Sequence, residues 1–63
     1  MDADRSELAA LAGTLEDITH RITALADRYR GTTRSDVGER LDEVERALAS
    51  AARQLDRALR TMR

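Results

Sequence analysis

Large apolar residues recur along the first half of the chain at Leu8, Leu11, Leu15, Ile18, Ile22, Leu25 and Tyr29. The steps between them alternate three and four without a break. That spacing keeps all of them on one stripe of an α-helix and is the heptad pattern of helices that pack lengthwise. Leu8, Leu15, Ile22 and Tyr29 take position a; Leu11, Ile18 and Leu25 take position d. A second run continues to the end of the chain, with Leu41, Leu48, Leu55 and Met62 at a and Val37, Val44, Ala51 and Ala58 at d.

The punctuation between the runs predicts where the helices begin and end. Asp4 and Glu7 have the spacing of a capping box, with Ser6 as a competing N-cap. Gly31 is suited to the left-handed residue that closes a helix, and Thr32, Thr33, Arg34 and Ser35 make a short polar loop. Asp36 and Glu39 repeat the capping-box spacing. Arg57, Arg60 and Arg63 fall in the last turn, where cations suit the helix dipole.

The reading is an all-α chain forming one helical hairpin over residues 1–63. Helix 1 covers about 5–30, the loop 31–35 and helix 2 about 36–61. A loop this short makes the helices antiparallel neighbours. The resulting two-helix coiled coil pairs Tyr29 with Val37, Leu25 with Leu41, Ile22 with Val44, Ile18 with Leu48, Leu15 with Ala51, Leu11 with Leu55 and Leu8 with Ala58.

The two flanks of this seam differ. One carries Ala12, Ala26, Gly38, Ala52 and Leu59, with Ala9 and Ala49 behind them. Small residues let another helix approach closely. Ala9, Ala12, Ala26, Ala49, Ala52 and Leu59 are therefore the expected association face. The expected occupant is a second copy, forming a twofold dimer and a four-helix bundle, or a helix of a partner protein. A lone hairpin leaves half of each seam residue exposed, and chains this short usually need a further staple or oligomerisation.

The other flank carries Arg21, Arg28 and Arg40, with Arg34 nearby. Opposed like charges are unfavourable, so acids must lie close; Asp27 and Asp36 are the local candidates. The three arginines are also a candidate site for a small anionic ligand, since guanidinium groups fork onto phosphate or carboxylate.

Composition narrows the functional classes. Eleven Arg and no Lys stand against twelve Asp and Glu, which gives a net charge of −1. GC-rich coding accounts for the all-Arg usage, and selection for forked contacts is the alternative. This balance does not point to nucleic acid or an anionic membrane. Tyr29 is the sole aromatic residue, so an aromatic-lined ligand pocket is not expected. There is no Cys for disulfide or thiolate chemistry. No apolar run approaches membrane-spanning length, and the segment from Met1 to Arg5 does not read as a signal peptide. The expected compartment is the cytoplasm.

Candidate chemistry adds little to this picture. His20 falls at an outward position with Glu16 one turn before it, and no converging ligands are evident. Asp17–Arg21, Asp42–Arg46 and Asp56–Arg60 have the spacing of surface helix pairs. Gly13, also outward, either permits close backbone approach or is a tolerated weakness in the helix. No catalytic set, cofactor or metal is expected. The architecture looks similar to two kinds of small hairpin, but neither motif is complete. The loop lacks the Trp-x-Gly of WXG-type hairpins. Of the Glu-x3-Ser-x2-Arg-x3-Gln-x3-Asp pattern of cyclic-di-GMP-dependent anti-sigma hairpins, Ser50 and Arg53 are present, while Arg46, Arg57 and Thr61 occupy the other places. The function expected from the residues is a non-enzymatic interaction module that self-associates or docks on a partner helix. The alternative is a regulatory hairpin whose Arg-rich edge binds an anionic ligand or nucleic acid.

Overall fold

A computed structural model describes residues 2–62. It contains two helices, α1 (Asp2–Tyr29) and α2 (Ser35–Thr61), packed against each other as a hairpin. The Cα atoms span 49 × 14 × 9 Å, a flat rod two helices wide. Arg63, expected in the last turn, lies outside the described residues, as does Met1.

The helix ends differ from the capping-box expectation. Helix α1 already begins at Asp2, so Asp4 and Glu7 both lie inside it. Asp4 sits in the first turn, where a carboxylate favours the positive end of the helix dipole without being the cap. At the start of α2 the N-cap is Arg34, which makes no side-chain capping bond. Asp36 is in the first turn instead. The Val37 N–H reaches the Arg34 carbonyl at 3.0 Å, so the backbone winds one residue earlier than the sequence pattern suggests.

Gly31 has φ of 73°, the left-handed conformation expected of it. Thr32 completes the stop. Its hydroxyl donates to the Tyr29 carbonyl at 2.7 Å and accepts from the Arg34 N–H at 3.1 Å. Orphan groups from both helix ends are thereby joined through one side chain.

The packing seam is rotated from the expected a/d line. Ala26 is completely buried, the one such apolar residue among those described, and Gly38 is buried opposite it. A Cβ on Gly38 would stand 3.3 Å from the Ala26 carbonyl oxygen and 3.4 Å from the Tyr29 Cβ. The helices therefore approach closest along the alanine edge, where no large side chain separates the backbones. The arginine edge opens. Small residues permit the close contact on one side, while Arg28 and Arg40 on the other stay exposed to solvent.

The rotation sorts the heptad positions. Leu8, Leu15, Ile22, Tyr29, Leu41, Leu48 and Leu55, all at a, are half-buried between the helices, as are Val37 and Ala58 at d. The remaining d residues, Leu11, Ile18, Leu25, Val44 and Ala51, are exposed, with Met62 at the open end. They were expected in the seam but line its open side. The lengthwise register agrees with the expected pairing. Gly38 meets Ala26, Thr23 bonds to Glu45, and Arg5 reaches the Leu59 carbonyl at 3.3 Å near the open end.

Candidate protein-docking face

The open side of the hairpin is a strip of large apolar side chains. Leu11 is 52% exposed, Ile18 41%, Leu25 40% and Val44 41%. Helical spacing puts Leu11, Ile18 and Leu25 in one row on α1, one residue every two turns. Val44 and Ala51 continue the strip on α2. Ile18, Arg21, Ile22 and Leu25 line a shallow depression on it. Arg21 and Arg28, with Ala24 and Leu25, line the next one.

The expected association face is divided by the rotation. Ala26 is wholly buried within the hairpin, so it cannot touch another molecule without the helices parting. Ala12, Ala49 and Leu59 are half-buried, and Ala9 and Ala52 are exposed. Toward the open end, Ala12, Ala49, Ala52 and Leu59 floor a groove rimmed by Glu16, His20 and Asp56. The alanine edge thus serves first as the hairpin's own contact, and only its open-end half faces outward.

The three arginines proposed for an anion are not gathered in one depression. Arg21 shares one with Arg28, whereas Arg40 lines another with Asp36, Glu39 and Glu43. The acids expected to balance them are engaged elsewhere. Asp27 accepts from Arg30 Nε at 2.9 Å, and Asp36 faces Arg34 at 3.5 Å. Arg21 approaches Asp17 at 4.0 Å. Among the described residues, no carboxylate lies within salt-bridge distance of Arg28 or Arg40, and both are exposed.

Besides the contact of Arg5 with the Leu59 carbonyl, two polar contacts cross the hairpin that the heptad reading missed. The Thr23 hydroxyl donates to Glu45 at 2.6 Å, and it also lies 3.0 Å from the Thr19 carbonyl. Arg30 Nη2 reaches Asp42 at 3.1 Å. Asp42 was expected in a surface pair with Arg46, but rotation toward the alanine edge draws both Asp42 and Glu45 into half-buried positions. With Asp42 drawn to Arg30, Arg46 pairs with Glu43 rather than with Asp42. The Asp56–Arg60 pair forms at 3.0 Å. The hydrogen bond to Asp27, then the charge of Asp42, push the Arg30 guanidinium above its ordinary pKa. The available signal for these contacts was the antiparallel register: Ala26 and Gly38 share one heptad position on the two helices, and so do Glu45 and its small neighbours.

Among the described residues no group of three or more potential ligands could hold a metal ion, and no helix is long and apolar enough to cross a membrane. Gly13 is exposed, and a Cβ there would meet nothing within 4 Å. No protein-family model matches the chain, and no curated protein or solved structure matches it either.

Proposed function

We propose that this chain is a non-enzymatic protein-interaction module whose working surface is the open d-position face, Leu11, Ile18, Leu25 and Val44. The observation that carries this reading is the exposure of four large apolar residues in one strip while, among the described residues, a single alanine is fully buried. The accessible surface is 4967 Å² for a chain of 7.0 kDa, whereas a compact monomer of that mass exposes ~4,000 Å². The excess is the area that an unaccompanied pair of helices leaves in water. Contiguous apolar surface of this kind marks an association site.

The occupant of such a face is an amphipathic helix or helix pair, which lays its own apolar row along the groove between α1 and α2. Arg21 and Arg28 flank the row near the loop and favour a partner with acidic flanks there. Most titratable side chains lie along exposed helix surfaces of a rod, and the half-buried Asp42 and Glu45 are engaged in contacts across the hairpin, which supports binding rather than catalysis.

The test compares the tagged wild-type chain with a variant carrying Ile18→Gln and Leu25→Gln in extracts of cells that express it. The wild type is expected in a species larger than the single chain, by native sizing and chemical cross-linking. The variant is expected to lose that species. A wild-type chain that runs as a single copy in extract and after purification would overturn the reading.

A further inference from the structure

We infer that a second copy of this chain covers the open face, in an antiparallel twofold arrangement with Ile18 at the axis. The inference rests on the open face being the docking surface and adds which molecule occupies it and in what register.

The first argument is the symmetry of the apolar row. Leu11 and Leu25 lie seven residues on either side of Ile18. Consider a twofold axis that crosses the rod at Ile18, perpendicular to the helices and lying between the two hairpins. It sets Ile18 against the partner's Ile18, and Leu11 against the partner's Leu25. The same operation acts on α2. Ile18 stands level with Leu48, so Val44 meets the partner's Ala51, a large residue against a small one. Apolar layers on both helices coincide under one operator, which is the self-complementarity an isologous interface requires.

Charge provides the second argument, and it chooses between the two ways of stacking the hairpins. With the loops at the same end, α1 would lie over the partner's α2. The edges carrying Arg28 and Arg40 would then face each other at one level and like charges would meet. With the loops at opposite ends, α1 lies over the partner's α1 in reverse. Glu7 then meets the partner's Arg28, and Thr14 meets the partner's Arg21. Arg28, without a carboxylate in salt-bridge distance among the described residues, gains one on association. Antiparallel stacking therefore replaces a repulsion with two symmetry-related ion pairs.

Size provides the third. The 49 × 14 Å face offers a footprint of roughly 700 Å² per protomer, close to the ~800 Å² per partner of a standard interface. The product is a four-helix bundle with the a and d residues inside, the alanine edges joining the helices of each hairpin and the arginine edges lying between hairpins.

Purified wild type in the ultracentrifuge at ~100 μM is expected to sediment as two copies, on the scale where folded state and oligomer are linked. The chain has no Cys, so Ile18→Cys adds one thiol per copy. Oxidation with glutathione disulfide is expected to give a covalent dimer in high yield. Leu11→Cys alone is expected to give little, because it faces the partner's Leu25. Charge reversal supplies a measure that survives any loss of folding. Glu7→Arg and Arg28→Glu are each expected to weaken dimerisation several-fold, and the double variant to recover it.

Purified protein that stays monomeric while the chain runs in a larger species in extract overturns the second copy and leaves the docking face standing. A dimer that fails both to cross-link through Ile18→Cys and to recover in the double charge variant overturns the antiparallel register. A chain that is monomeric everywhere overturns both readings.

Discussion

Three glycines in this chain do three different jobs, and the space around each tells them apart. Gly31 occupies the left-handed region that stops α1. Gly38 is the point of closest approach between the helices, with room for a Cβ only if the Ala26 carbonyl gives way. Gly13 faces water with nothing near it, so its only effect is the lower helix propensity of glycine. Gly13→Ala is accordingly expected to stabilise the fold by up to ~1 kcal/mol, raising the melting temperature by several degrees. Gly38→Ala is expected to lower it despite the same gain in propensity, because the added methyl presses the helices apart. Thermal unfolding followed by circular dichroism checks the contrast, and equal upward shifts for both would contradict the packing described for Gly38. The Thr23–Glu45 bond sets a second prediction at this scale. Thr23→Val keeps the shape but leaves the half-buried Glu45 carboxylate without its donor, at a cost of about 1 kcal/mol. Chemical denaturation should show that loss, and the further change Glu45→Gln should recover part of it.

At the level of elements, the alternation of three and four named both helices, and the short loop after Gly31 named their antiparallel order and lengthwise register. Those features follow from period and loop length. Which way each helix turns about its own axis does not, because an apolar a/d row can face a neighbour from either flank. The rotation follows the small residues beside the row, Ala26 and Gly38, which let the backbones approach closely. Both could be read from the sequence, but close approach at one flank is not something that period expresses. The same applies to Asp42, expected in a surface pair and half-buried by that turn, and to Glu45, half-buried with it. The helix starts were misjudged for a different reason. Acidic residues at the N-terminal turn act on the helix dipole whether or not they cap, so capping-box spacing marked the neighbourhood rather than the first residue. Since Arg34 makes no capping bond at the start of α2, Arg34→Asp is expected to stabilise the helix by ~1 kcal/mol through a side-chain acceptor for the free N–H groups. The gain should be visible as higher helicity and a higher melting midpoint. An unchanged midpoint would mean that another residue serves as the cap.

For the molecule as a whole, the two sides of each heptad row would separate folding of the hairpin from the proposed association of hairpins. Leu15 lies between α1 and α2, half-buried, whereas Ile18 and Leu25 lie on the open strip. A dimer that forms only from folded chains couples stability to concentration, and a hundredfold rise in concentration favours the assembled state by ~2.7 kcal/mol. For a molecule of this size the melting temperature should then climb on the order of 10 °C over that range. Leu15→Ala removes packing inside the hairpin, so it should lower the melting temperature at every concentration while the climb persists. Ile18→Gln with Leu25→Gln should remove the climb itself, because the surface that links stability to concentration is gone. Melting curves for the three proteins at ~5 and ~500 μM distinguish these effects. The climb should vanish in the open-face variant and survive in the seam variant. If Leu15→Ala abolished it and the open-face variant kept it, the roles of the two rows would be exchanged, and the rotation toward the alanine edge could not describe the protein in solution.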